Sequence, residues 1–264
     1  MVELLRGVWR FRDFISASVK REFASRYQGT QLGVFWPIIH PLALILIYTL
    51  VFSEIMRPRL PGHESRFAYS IYLTAGFVTW SLFSELLVRS VGIFVSNANL
   101  LKKVNVHKLA FPAIAFISAL VQSAILLSCF VVFLVLTGGF PGIPFLAVVP
   151  VLAVASLFAM GLGLFLATVN VFYRDVEQST NLVLQFWFWV TPVVYPASAL
   201  PDSVKALISW NPMWPVVRAM QQIFVEQRFP DWSTLAYPLL LAIALIAFAK
   251  TAFERLASEL VDEL

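Results

Sequence analysis

The feature that most constrains this chain is a long charge-free run, since no Asp, Glu, Lys or Arg occurs between Lys108 and Arg174. A soluble domain needs a charged surface, yet only 13% of the residues are charged and 59% are hydrophobic. An apolar helix of about 20 residues crosses a bilayer, so the run is long enough for two crossings and a turn. The composition therefore predicts an all-α, polytopic integral membrane protein.

Charge-poor windows along the chain predict six transmembrane helices. These windows cover residues 32–53, 67–84 with an extension toward Arg89, 111–137, 145–172, 179–196 and 232–249. Pro112 lies where the first turn of a helix tolerates a missing N–H, and Pro192 is expected to kink or end the fifth span. No internal repeat or low-complexity linker divides the sequence, so we expect a single transmembrane domain over residues 1–264.

The segment between the fifth and sixth predicted spans, residues 197–231, contains two short apolar pieces separated by Asn211 and Pro212. Each piece is too short to cross a membrane. Trp210 and Trp214 suit a membrane interface, which favours short re-entrant helices that dip into the outer leaflet. The alternative is an ordinary folded loop.

Most of the 19 Lys and Arg residues fall on the side of the membrane that carries the N-terminus. Because cytoplasmic loops are enriched in Lys and Arg, this bias predicts that both termini are cytoplasmic.

Residues 1–30 include an amphipathic pattern, with Val8, Phe11, Ile15, Val19 and Phe23 on one face. The pattern predicts a helix lying in the inner membrane interface, with a solvated arm as the alternative. Arg12 and Glu22 interrupt the apolar stripe.

Residues 96–109 form a short basic island that this orientation places in the cytoplasm. Ser96 or Asn97 can cap a helix there, and Leu100, Leu101 and Val104 supply an apolar face. Such a helix, joined to two spans, is suited to dock in a groove on a partner. A positive-inside anchor without a partner is the alternative.

Two further polar features have structural and functional interpretations. Arg174 and Asp175 end the long apolar stretch, either as a helix-boundary ion pair or cap, or as a partner contact. Glu85 and Arg89 lie four residues apart, so they can pair on one helix face. We expect that pairing to be structural, with a proton relay as the alternative.

Several enzyme and cofactor motifs are missing from the sequence. It contains no P-loop, no H-E-x-x-H and no G-x-S-x-G, and its three histidines are dispersed, so we predict no catalytic residues and no metal site. The single Cys129 is interpreted as packing. If the protein moves a substrate uphill, the energy is expected to come from another subunit.

Aromatic residues are abundant, with 24 Phe, 8 Trp and 7 Tyr, and FWFWV at residues 186–190 is the densest group. An interfacial belt is one interpretation. The other is a set of flat apolar faces with polar edges, which suit the mixed surface of a sugar ring.

Four stretches resemble, in order and spacing, the membrane subunit of type 2 ABC exporters for polysaccharides, a family that includes O-antigen, capsule and teichoic acid permeases. They are VKREFASRYQGTQLGVFWPIIHPLALILIYTLVFSEIM, NANLLKKVNVHKLAFP, NVFYRDV, and FWFWVTPVVYP with the WNP that follows. The resemblance implies six spans, a cytoplasmic interface helix and an inner-membrane location. It also implies a homodimer with two copies of a separate ATPase subunit, which binds ATP and Mg, while this chain binds no cofactor.

The resemblance also implies roles for individual residues. The loop between spans two and three would be a coupling helix on the ATPase, and the boundary before span five a second ATPase contact. The implied coupling residues are Asn97, Asn99, Leu100, Leu101, Lys102, Lys103, Arg174 and Asp175. Spans one and five would line a channel for a lipid-linked glycan at the dimer interface. The implied lining residues are Phe35, Trp36, Tyr48, Phe52, Trp187, Trp189 and Tyr195.

Export of O-antigen is the expected function, with capsular polysaccharide or teichoic acid as alternatives on the same mechanism. An ion-coupled carrier or channel is the alternative from another class. A membrane enzyme acting on lipid-linked sugars would need paired carboxylates, and Glu54, Glu64 and Asp202 are too scattered to suggest a pair. Nothing in the sequence indicates a nucleic-acid partner.

Overall fold

The computed structural model describes residues 12–27, 29–55, 65–98 and 110–256, and the secondary structure of these residues is helical. In chain order the helices are α1 (Arg12–Tyr27), α2 (Trp36–Thr49), α3 (Ala68–Val91), α4 (Ile93–Ser96), α5 (Ala110–Thr137), α6 (Val148–Phe172), α7 (Asp175–Val190), α8 (Asp202–Ile208), α9 (Met213–Phe224) and α10 (Trp232–Leu256). Shorter 3₁₀ turns precede α2, α6 and α8, and a π-type turn, Leu50–Ile55, follows α2.

Four helices are long and apolar enough to cross a bilayer. They are Ala68–Val91, Phe111–Thr137, Ile143–Phe172 and Trp232–Phe253, and they correspond to the second, third, fourth and sixth predicted spans. The chain is therefore an all-helical, polytopic membrane protein. The first predicted span is a shorter apolar helix, Trp36–Phe52, so the total of six spans stays a prediction.

The fifth predicted span is shorter in the structure than its apolar window. Helix α7 has 16 residues and ends at Val190, because Thr191 adopts an extended conformation immediately before Pro192. The residue before a proline is pushed out of the helical region by the proline ring. The expectation that Pro192 ends this helix is confirmed, and residues 191–196 are non-helical.

The segment between α7 and α10 forms short helices, as predicted. Helix α8 is mostly exposed, and Trp210, which follows it, is 77% exposed. Helix α9 differs, because its apolar face is fully buried through Met213, Val217 and Met220. It packs between α3 and α6 inside the bundle, so Trp214 is only partly exposed.

Helix α6 forms the centre of the bundle, with α3 on one side and α10 on the other. Two glycines permit this approach. A Cβ on Gly163 would lie 2.5 Å from the Cβ of Ser90 in α3, and a Cβ on Gly161 would lie 3.0 Å from the Cβ of Leu245 in α10. Small residues at helix contacts let membrane helices approach closely.

Helix α3 contacts other elements at both ends of the bundle. Its last turn contacts α1 through Arg89, and its first turns contact the segment that follows α7 through Tyr69 and Tyr72. We call these ends the α1 end and the α9 end. The predicted orientation places the α1 end in the cytoplasm.

Candidate functional site

An ion-pair cluster at the α1 end joins three helices. Arg89 of α3 pairs with Glu85 one turn earlier, with 2.8 Å between Nε and the Glu85 carboxylate. The same guanidinium pairs with Glu22 of α1. The second carboxylate oxygen of Glu22 accepts a hydrogen bond of 2.7 Å from Ser118 of α5, whose side chain is fully buried.

The predicted pair of Glu85 and Arg89 is thus confirmed, and Glu22 is the participant that sequence reasoning missed. Its carboxylate looks like an interruption of the apolar face of α1. In the structure that face, with Ile15 and Val19 buried, packs against α5. Glu22 therefore lies on the packed side of the helix, where a buried cation satisfies it.

A cleft of about 440 Å³ opens beside this cluster. Its lining combines the α1 face with the ends of α3 and α5 and with Glu177 of α7. Asn170 of α6 holds this corner together, since its amide donates to the Val91 carbonyl at 3.2 Å and its oxygen accepts from the Glu177 N–H at 3.1 Å. The Glu177 carboxylate lies against Gly92, 3.1 Å from where a Cβ would be.

The predicted coupling residues fall only partly within the described structure. Asn97 is half-buried in the cleft lining, and its amide donates to the Ile93 carbonyl at 2.9 Å. Arg174 and Asp175 are exposed at the start of α7, where the negative charge of Asp175 suits the helix N-terminus. The remaining five residues, Asn99, Leu100, Leu101, Lys102 and Lys103, lie outside the described residues, as does most of the predicted helix at 96–109.

A larger groove of about 700 Å³ lies between α3 and α7. Its polar side chains are those of Ser81, Ser84, Glu85, Asn181 and Gln185. Aromatic side chains, including those of Trp80, Phe188 and Trp189, form the rest of the wall. The polar residues of each helix recur at three- or four-residue spacing, a signal that could have revealed this face from the sequence.

A second cavity, of about 250 Å³, shares Phe77, Ser81 and Glu85 of α3 with the groove. It is lined by His40 of α2, Ser81 and Glu85 of α3, and Gln122 of α5, among others. Within the described residues, the buried side-chain oxygen of Gln122 has no hydrogen-bond partner. Glu85 thus lines both cavities and is bound to the guanidinium that reaches the cleft.

The predicted channel residues occupy different environments. Trp189 is 62% exposed and lines the groove, and Phe35 and Trp36 are exposed where α2 begins. Tyr48 meets Phe77 edge to face, and Phe52 stacks on Tyr69.

Trp187 instead points into the bundle, where its ring meets Trp80, Phe83 and Phe158. The assignment of Trp187 and the other six predicted lining residues to a channel stays a prediction.

The α9 end is held by a buried hydrogen-bond network around Asn211. Its side-chain oxygen accepts from the Trp187 indole N–H at 2.9 Å and from the Met213 backbone N–H at 3.0 Å. Its amide donates to the Thr191 hydroxyl at 2.9 Å. This network explains the asparagine immediately before α9, since Asn211 joins the end of α7 to the start of α9.

The non-helical residues 191–196 are held by side chains from neighbouring helices. The Tyr72 hydroxyl shares its one proton between the carbonyls of Pro192 and Tyr195, at 3.2 and 3.0 Å. Gln221 of α9 also donates to the Pro192 carbonyl, and Tyr69 donates to the Val194 carbonyl. Side chains thus satisfy carbonyl groups that no helix satisfies, as a bilayer environment requires. Tyr195 donates its own hydroxyl to the Trp189 carbonyl at 2.6 Å.

Comparison with known proteins identifies relatives along the whole chain. The family described as ABC-2 type transporter matches residues 14–225. The chain is 27% identical over 266 residues to the O-antigen export system permease protein RfbA of Myxococcus xanthus, with 100% of each chain covered. It is 24% identical over 215 residues to the protein of that name from Klebsiella pneumoniae, with 81% of each covered.

A relative with a different described role is the polysialic acid transport protein KpsM of Escherichia coli. It is 22% identical over 224 residues, which cover 84% of this chain and 85% of that protein. The family match covers most of the chain and includes nearly all of α1, the groove and α9. This family implies an ATPase partner. The chain belongs to the ABC-2 type transporter family, as its membrane permease subunit.

Proposed function

We propose that this chain forms the channel of an ATP-driven exporter that moves a lipid-linked polysaccharide across the inner membrane. The proposed polysaccharide is O-antigen. The observation that carries the proposal is the groove between α3 and α7, which combines amide, hydroxyl and carboxylate groups with aromatic faces. Sugar rings carry hydroxyl groups on their edges and apolar C–H faces, so both kinds of group have a counterpart.

The groove also supports a dimer. Polar side chains such as Asn181, Gln185 and Glu85 are costly in contact with lipid, and membrane proteins direct them toward protein or water-filled cavities. We propose that a second copy of this chain faces the groove, so that the pathway runs between two permease subunits. The proposed glycan-contacting residues are Phe35, Trp36, Tyr48, Phe52, Trp189 and Tyr195. Trp187, whose ring points into the bundle, is proposed to support the channel wall from behind.

The proposed assembly adds two copies of an ATPase subunit, which supply ATP and Mg, on the cytoplasmic side. Residues 96–109 are the proposed coupling helix, and Arg174 and Asp175 the second contact. In this arrangement the chain has six spans, both termini are cytoplasmic and residues 197–231 form the outer re-entrant segment. The cleft beside Asn97 and Glu177 lies at the end of the bundle where the ATPase would bind.

Export by a reconstituted complex tests the proposal directly. Proteoliposomes that contain this chain and its ATPase are supplied with lipid-linked O-antigen, capsular glycan or teichoic acid. We expect ATP-dependent movement of O-antigen, and none with a hydrolysis-deficient ATPase. Movement of another glycan alone would reassign the substrate, while ion flux through the purified chain alone would contradict the proposal.

Reversal of charge in the coupling segment should uncouple the two subunits. We expect Lys102→Glu with Lys103→Glu to reduce ATP-driven export about tenfold or more, because loss of close charge pairs at an interface costs about 1.5 kcal/mol or more. The matched control is Lys102→Arg with Lys103→Arg, which keeps the charge. Export and co-purification of the ATPase are measured at equal membrane levels. Unchanged export by the Glu variant would contradict the proposed coupling role.

Removal of the exposed indole from the groove should slow export without loss of folding. We expect Trp189→Ala to lower the export rate about twofold to tenfold, which corresponds to an aromatic contact of about 0.5–1.5 kcal/mol. Trp210→Ala is the matched control, since Trp210 is also exposed but lies outside the groove. An equal effect of both substitutions would remove the support for Trp189 as a glycan contact.

A further inference from the structure

Arg89 connects the cleft at the α1 end with the groove between α3 and α7. Its side chain is only 11% exposed, and its guanidinium is shared between Glu22 of α1 and Glu85 of α3. Glu22 and Arg89 line the cleft, while Glu85 lines the groove and the second cavity. One cation therefore joins a carboxylate on the interface helix to a carboxylate in the proposed pathway.

The attachment of α1 to the bundle is otherwise largely apolar. Ile15 and Val19 pack against α5, and apolar contacts are non-directional, so they permit small displacements. The interactions of Glu22 differ, because they depend on distance and angle. Its carboxylate is held by Arg89 on one oxygen and by Ser118 on the other. A movement of α1 therefore breaks or lengthens these polar contacts before it changes the apolar packing.

The charges of the three side chains determine how a movement of α1 changes the pairing in the cluster. Glu22, Glu85 and Arg89 together carry one net negative charge when all are ionised. A buried guanidinium retains a carboxylate partner, since an unpaired charge is costly at membrane depth. If α1 withdraws Glu22, Glu85 is the carboxylate partner that Arg89 keeps among the described residues, and that pair is neutral. The guanidinium is then no longer shared between two carboxylates, so the position of the Glu85 carboxylate against the groove changes.

We propose that Glu22 is a positioning residue that acts through Arg89 on Glu85 and so transmits displacement of α1 to the translocation pathway. The proposal rests on the proposed function, because it assigns regulation to the groove that would hold the glycan. With Glu22 engaged, Arg89 is shared between the two carboxylates while Glu85 lines the groove. With Glu22 withdrawn, Arg89 draws the Glu85 carboxylate toward the α1 end.

The first test compares export with ATP hydrolysis in the reconstituted complex. Glu22→Gln keeps the size of the side chain and removes the charge. We expect normal membrane levels and retained ATP hydrolysis, but glycan exported per ATP lowered about fivefold or more, the lower range of coupling between sites. Asp13→Asn is the matched control, because it removes one negative charge from an exposed position of the same helix. Equal export per ATP in parent and Glu22→Gln would overturn the proposal.

A residue exchange separates positioning from charge neutralisation. Glu22→Ser with Ser118→Glu keeps a carboxylate and a hydroxyl in the cluster but moves the carboxylate from α1 to α5. We expect this variant to retain membrane levels and to remain as poorly coupled as Glu22→Gln, since Arg89 no longer pairs with α1. Recovery of export per ATP would show that Arg89 needs only a nearby carboxylate, and the positioning role would be lost.

A readout without glycan distinguishes this inference from the proposed function. Ser84 lines the groove beside Glu85, so Ser84→Cys in a Cys129→Ser background reports access of a thiol reagent. We expect the labelling rate to differ between the nucleotide-free complex and ATP turnover, and Glu22→Gln to reduce that difference about fivefold or more. A difference unaffected by Glu22→Gln would overturn the inference, whereas a failure to export glycan with this response intact would count against the substrate assignment alone.

Discussion

Gly163→Val is expected to prevent accumulation of folded protein in the membrane. The first side-chain atom would lie 2.5 Å from the Cβ of Ser90, and that atom belongs to a rigid, buried position in α3. Because the backbone fixes Cβ, no rotation of the Ser90 side chain relieves this contact. The Ser90 hydroxyl, 3.1 Å from the added Cβ, is also held by the Leu86 carbonyl at 2.7 Å. Overpacking of a core typically costs about 1–3 kcal/mol, and two further methyl groups add to the clash of the Cβ alone.

The measurement is the membrane level and the thermal midpoint of the detergent-purified protein, with Gly163→Ala as the intermediate variant. Gly92→Ala is the matched control, because its Cβ would meet only the mobile end of Glu177. Ser90→Gly combined with Gly163→Ala removes the opposing Cβ and should recover stability, less about 1 kcal/mol for a glycine within a helix. No recovery would mean that the α3–α6 contact is not what Gly163 permits.

Asn211→Leu is expected to destabilise the α9 end by about 2–4 kcal/mol, since an unpaired buried polar group costs about 1–3 kcal/mol. The substitution leaves the Trp187 indole N–H and the Met213 N–H without their acceptor. It also removes the donor to the Thr191 hydroxyl, which still donates to the Trp187 carbonyl. Because Asn211 is only 8% exposed, water does not readily replace these bonds. Export should fall as well, because the end of α7 and the start of α9 lose their connection.

Asn181→Leu is the control for stability, since the Asn181 amide donates to the Glu177 carbonyl in its own helix and to no other group in the described part of the chain. Thermal unfolding monitored by tryptophan fluorescence, at equal protein and detergent, measures both variants. A midpoint for Asn211→Leu equal to that of Asn181→Leu would show that the network contributes little to the junction.

Local patterns were sufficient to predict much of the fold. Continuous hydrophobicity predicted the four long helices, and Pro192 predicted the end of α7. The four-residue spacing predicted the pair of Glu85 and Arg89, because both partners lie on one helix. Each of these predictions depends on residues a few positions apart, and that is the range over which sequence periodicity is informative.

Contacts between residues far apart in the sequence could not be predicted from such local patterns. Glu22 looked like a defect in an amphipathic helix because its partners, Arg89 and Ser118, lie 67 and 96 residues away. Trp187 looked like one of several aromatics in a span, whereas its indole N–H is committed to Asn211, 24 residues later. In both cases the side chain is explained by a tertiary partner, which a single sequence does not reveal.

The groove between α3 and α7 could be predicted only in part from the sequence. Its hydroxyl and amide groups at positions 81, 84, 181 and 185 are regularly spaced, yet they are uncharged and did not interrupt the hydropathy of the windows. Only the packing of α3 beside α7 shows that the two polar faces form one surface.

The way in which residues 191–196 are held has a consequence for opening at the α9 end. Carbonyl groups of Pro192, Val194 and Tyr195 rely on phenol and amide donors from α3 and α9. Water molecules entering at the α9 end can take over these bonds one at a time, whereas a continuous helix would have to unwind. The α9 end of the bundle is thus built so that hydration itself offsets the cost of separating its walls.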